Sequence, residues 1–71
     1  MIAAEVNISR KLYTNQWEME QWLYRHVGNL APHRDTVDDH RYPWCVTESY
    51  SQLTYHFGRA ADATMFALRW S

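Results

Sequence analysis

His33, His40, Cys45 and His56 are side chains of the kinds that hold transition metals or activate nucleophiles. Imidazole nitrogen and thiolate sulfur are good zinc donors. Zinc sites usually show in a sequence as short spacings, such as a pair of cysteines two residues apart or two histidines one helical turn apart. None of these four stands in such a spacing, and only folding of the segment between them could gather them. They are therefore expected to be ordinary polar residues, and no metal or cofactor is expected. Cys45 with a histidine is also a pair from which cysteine nucleophiles are made. Flanked by Trp44 and Val46, it reads instead as a small buried hydrophobe. Asp35, Asp38 and Asp39 lack the alternation and the glycine of a calcium loop. With only Gly28 and Gly58 in the chain there is no glycine-rich phosphate loop. No catalytic set emerges, and the chain reads as a non-enzyme.

What is left to carry function is aromatic surface. The 71 residues include four Trp, five Tyr and two Phe, more large rings than a domain of this size can bury completely. Tyr and Trp suit positions with one apolar and one wet edge, and with Arg they dominate the energetics of protein interfaces. Six of the seven basic residues are Arg. Trp17, Tyr24, Tyr42 and Trp44, together with Met65 and Leu68 near the end of the chain, are the candidate partner-contacting residues. A protein partner is the first expectation, and a second copy of the chain is another. Seven basic against eight acidic residues disfavour nucleic acid and a polybasic membrane binder. A nucleic-acid alternative would use Trp44, Tyr50 and Tyr55 as a sheet platform on which single-stranded bases stack. The lone cysteine allows no internal disulfide, no charged leader precedes an apolar run, and no window is long enough to span a bilayer. A cytoplasmic, membrane-free protein is expected.

The elements that must position these residues follow from periodicity. Ile2, Ala4, Val6 and Ile8 alternate with Ala3, Glu5, Asn7 and Ser9, as in a strand with one buried face. A helix is expected to begin at Thr14 or Asn15, with Glu18 at capping-box spacing from Asn15, and to end at Gly28. Its apolar stripe is Met19, Trp22, Leu23 and Val27. Residues 29–43, bracketed by Pro32 and Pro43 and rich in Asp, read as a long solvated loop. Trp44 and Val46 oppose Cys45 and Thr47 in a second strand, which turns back into a third at residues 52–57, where Leu53, Tyr55 and Phe57 face one way. After Gly58, residues 60–69 are read as a helix with Ala63, Phe66, Ala67 and Trp70 inward and Met65 and Leu68 outward. The alternation of Phe66, Leu68 and Trp70 leaves a final strand as the alternative. The expectation is one α+β domain over residues 1–71. Its order is strand-helix-strand-strand-helix, a split βαβ or truncated ferredoxin-like arrangement with helices on one face of a small antiparallel sheet.

Tyr55, Phe57, Asp62, Ala63, Phe66, Leu68, Arg69 and Trp70 form an ending that resembles that of many small uncharacterised proteins encoded by bacteriophages. Ala67 stands where lysine is common in those proteins, and the Gly58-Arg59 turn is less acidic than theirs. The resemblance implies a phage accessory protein that binds and inhibits or redirects a host enzyme or defence complex, in the host cytosol. A small virion or assembly protein is the other reading open to such a chain.

Overall fold

The computed structural model describes residues 2–9 and 16–70. Its elements are β1 (Ala4–Ser9), α1 (Gln16–His26), β2 (Trp44–Glu48), β3 (Gln52–Phe57) and α2 (Ala60–Trp70), with a single 3-10 turn at Arg34–Thr36. The three strands form one antiparallel sheet in the order β1-β3-β2. This is the split βαβ arrangement, with β3 inserted between two strands that run in the same direction. The proposed capping box at Asn15 and the start of the first helix at Thr14 or Asn15 fall outside the described residues.

Alternation along each strand decides which side chains meet the helices. Ile8 of β1, Trp44 of β2 and Leu53, Tyr55 and Phe57 of β3 share one face and pack with Met19 and Leu23 of α1 and Ala63 and Phe66 of α2. The Phe66 ring lies at the centre, 4.7 Å from Tyr55 and 5.5 Å from Phe57 between ring centroids. Residues 60–70 are helical because helical spacing lets Ala63 and Phe66 reach this core together, while Met65 and Leu68 remain exposed. Asp62 lies in the first turn, where a carboxylate favours the helix N-terminus, and accepts a bond from Arg59 Nε at 2.7 Å.

The loop between α1 and β2 departs from the expected solvated segment. Ala31 and Val37 are buried against Cys45 on the sheet face away from the helices, with Ile2 and Tyr42 beside them. A second, smaller apolar cluster thus covers the reverse of the sheet. The Asp38 carboxylate holds the loop's tip by accepting backbone N–H bonds from His40 at 2.9 Å and Tyr42 at 2.8 Å. Those two bonds, led by that from Tyr42, hold its pKa below the ordinary carboxylate value. Ile2 also differs from expectation. Ala3 N donates to Phe57 O, although Phe57 is the register partner of Ala4, so the alternation slips there and Ile2 joins the reverse cluster.

Two glycines make this layering possible. Gly28 follows α1 with φ +143°, a conformation that side chains resist, and its N–H caps the helix by donating to Leu23 O at 2.9 Å. Gly58 lies directly against the loop backbone: a Cβ there would overlap the Asp38 carbonyl oxygen and lie 2.5 Å from its carbon.

Candidate functional site: an aromatic groove between the helices

The two helices leave a groove of about 260 Å3 between them, lined by Trp17, Gln21, Trp22 and Arg25 of α1 and Arg69 and Trp70 of α2, with Glu18 and His26 completing the wall. The helix ends explain its composition. Arg25 and His26 close α1 and Arg69 closes α2, each where a cation suits the negative end of a helix dipole. Trp22 is held from below, 6.1 Å from Phe66, and from the side by His26 at 5.0 Å. The Arg69 guanidinium lies 4.5 Å over the Trp70 ring, a cation–π contact that fixes both side chains. Trp70 Nε1 is buried without a hydrogen-bond partner among the described residues. Trp17 is 68% exposed. Large apolar rings therefore sit beside two guanidiniums and one carboxylate, a chemistry suited to an apolar side chain flanked by an acidic group.

The structure sorts the sequence's partner-contacting candidates into different places. Trp17 forms part of the groove wall. Met65 and Leu68 are exposed on α2, at 45% and 81%. Tyr24 is half exposed and packs edge-on against Trp44, with centroids 5.4 Å apart, and Tyr42 is half-buried in the reverse cluster. Trp44 does not belong among them. It is completely buried under α1, and its Nε1 donates to Gly28 O at 2.8 Å. The strand's helix-facing side is the inside of the molecule, so a ring there serves the core. The nucleic-acid platform fails for the same reason: Trp44 and Tyr55 are both fully buried, and only Tyr50, in the β2–β3 turn, is open to solvent.

In the sequence, Trp22 and Trp70 read as core residues and Arg69 and Trp70 as part of the ending's resemblance, and neither these nor Arg25 stood among the partner-contacting candidates. The available signal was the coincidence of a Trp and an Arg within the last turns of both helices.

Of the metal and nucleophile candidates, the structure brings only Cys45 and His56 side by side. His33 and His40 are exposed, and the described residues contain no group of three His, Cys, Asp or Glu that could hold a metal ion. Cys45 is buried, and that burial raises its thiol pKa above the ordinary value. His56 lies across from Cys45 in register and is buried. Its Nδ1 is 2.6 Å from Glu5 Oε2 on β1, and its Nε2 is 2.9 Å from Thr47 Oγ1 on β2. Carboxylate, imidazole and hydroxyl thus form a chain across all three strands, invisible in the sequence because register alone brings the three together. Both ring nitrogens are spent on tying the outer strands to β3. Neither the helix groove nor the shallow hollow at Ala3, Asp38, Asp39 and Gly58 is lined by any of the three residues. No helix among the described residues is long and apolar enough to cross a membrane. Comparison with protein-family models, with curated proteins and with solved structures finds no match.

Proposed function

We propose that this chain is a non-catalytic protein-binding module that engages its target through the α1–α2 groove. The carrying observation is the groove itself: three tryptophans and two arginines around one concavity, with Trp17 68% exposed. Trp and Arg at the centre of a concave patch are the residues that most often dominate interface energies. The resemblance of residues 55–70 to the endings of phage-encoded proteins supports a more specific reading. The chain would be a phage accessory protein acting in the host cytosol, and the target a host enzyme or defence complex. The reading as a non-enzyme is supported by the use of His56 as a tie between strands.

The test is affinity capture from host lysate with wild-type protein beside Trp17→Ala and Arg69→Glu. A stoichiometric protein retained by the wild type and lost with both variants is expected, with circular dichroism spectra unchanged. Equal recovery by wild type and variants would move the target off the groove. Retention of nucleic acid alone would overturn the protein-binding reading.

A further inference from the structure

The two borders of the sheet are treated differently. The β2 border is joined to the chain's own loop at its Trp44 end: Leu30 bridges Trp44, and Ala31 N donates to Trp44 O at 2.7 Å. β1 forms the other border. Its hydrogen-bonding phase follows from the hairpin. Gly58 N donates to Pro43 O and Ser49 N to Gln52 O, each at 2.9 Å, in the phase that also makes Cys45–His56 and Thr47–Thr54 hydrogen-bonded pairs. Thr54 and His56 therefore spend their backbone groups on β2, and Leu53, Tyr55 and Phe57 spend theirs on β1. Their register partners there are Ile8, Val6 and Ala4. The N–H and C=O groups of Glu5 and Asn7 consequently point outward from the sheet.

Among the described residues, no strand or bridge pairs with the outer side of this border. Ala4–Ser9 holds an unbroken register with β3 and contains no proline. Its one charge, Glu5, is drawn inward by the 2.6 Å contact with His56. We propose that β1 pairs antiparallel with β1 of a second copy, giving a two-fold dimer with a continuous six-stranded sheet and all four helices on one face.

The strand is complementary to itself. A two-fold axis perpendicular to the sheet at Asn7 lets the two Asn7 residues exchange both backbone bonds. It sets Val6 opposite Ile8 on the helix side and Glu5 opposite Ser9 on the reverse, so no carboxylate meets another. Asn7 Oδ1 already accepts from Thr54 Oγ1 at 2.8 Å, which leaves the Asn7 amide to donate across the axis. Two short strands alone bury less than the ~800 Å2 per partner of a standard interface. The helix layer supplies more. α2 is the helix packed over β1, and the axis brings two copies of it side by side, each carrying exposed Leu68.

The inference is independent of the groove, and its test uses other residues. Sedimentation equilibrium of the wild type should give twice the 8.5 kDa chain mass at micromolar concentration. Asn7→Pro removes an outward-facing donor together with the side chain that accepts from Thr54 Oγ1, and Asn7→Lys places two ammonium groups across the axis. Both should sediment at the single-chain mass with an unchanged circular dichroism spectrum. Hydrogen exchange reads the border directly: the Glu5 and Asn7 amides should be protected at least tenfold more in concentrated than in dilute wild-type protein. A wild type that stays monomeric at about 100 μM, well above the Kd of a stable dimer, overturns the proposal. So does a dimer that survives Asn7→Lys, or one whose Glu5 and Asn7 amides exchange freely. If Asn7→Pro fails to fold, Asn7→Lys and the exchange measurement still decide. Protection of the two amides only when a foreign protein is added would assign the border to that protein instead.

Discussion

Gly58→Ala sets two effects of opposite sign against each other. The backbone at Gly58 is not in the positive-φ region; among the described residues only Gly28 is. On conformation alone, alanine would be accepted and would stabilise by about 0.4–1 kcal/mol through a less disordered unfolded chain. Space argues the other way. The new Cβ would overlap the Asp38 carbonyl oxygen and stand 2.5 Å from the carbonyl carbon and 3.2 Å from Asp39 N. These are backbone atoms of a segment tied down by the Asp38 carboxylate, so no side chain can rotate away. The loop would have to retreat by about 1 Å or more, dragging Val37 and Tyr42 off Cys45. Overpacking costs about 1–3 kcal/mol, and a backbone obstacle belongs at the upper end of that range, so sterics outweigh the entropic gain. A net loss of about 2 kcal/mol would remove a fifth to a half of the roughly 4–10 kcal/mol a chain of this length holds. The melting temperature should fall by about 8–16 °C. Thermal and urea melts supply the number, and faster labelling of Cys45 in the folded variant would locate the damage in the reverse cluster. An unchanged or higher melting temperature would refute the close approach of Gly58 to Asp38 and the covering of the sheet by the loop.

Phe66→Ala should cost about 3–5 kcal/mol, enough to unfold much of the population in a thermal melt, whereas Leu68→Asp should leave the fold intact because Leu68 is exposed. Trp44→Phe keeps most of the buried ring but strands the Gly28 carbonyl, and a denaturant titration should record a loss of about 1–3 kcal/mol. Cys45 should react slowly with a disulfide reagent at neutral pH and at once in denaturant. Because its folded pKa is raised above the ordinary value of 9.0, the associated stability is complete below that value and lost as pH rises through the folded one. Asp38 has the opposite sign: its folded pKa is depressed, so its contribution is complete above 3.8 and lost as pH falls through the folded value. The acid limb of wild-type stability should therefore be steeper than that of Asp38→Asn in melts below about pH 4.

The sequence by itself determined the elements and their inward faces. Alternation in residues 4–9 and 52–57 and helical spacing in residues 16–26 are local properties, set by which side chains a strand or helix turns to one side. The helix at residues 60–70 was legible with a rival, because Phe66, Leu68 and Trp70 satisfy both periods. Only packing decided it, by burying Phe66 and exposing Leu68. What the local pattern could not tell was which ring lies beneath which helix. Trp17 and Trp44 look alike in the sequence, yet one lines an open groove and the other is the floor of the core. The Glu5–His56–Thr47 chain, the loop folded onto Cys45 and the open border at β1 likewise depend on register and on the order of strands. These are relations between residues up to 51 positions apart, and no short-range periodicity encodes them. Tertiary structure alone decides them, because the burial of Trp44 and Phe57 against the helices chooses the register, and the register then chooses every neighbour on the opposite face.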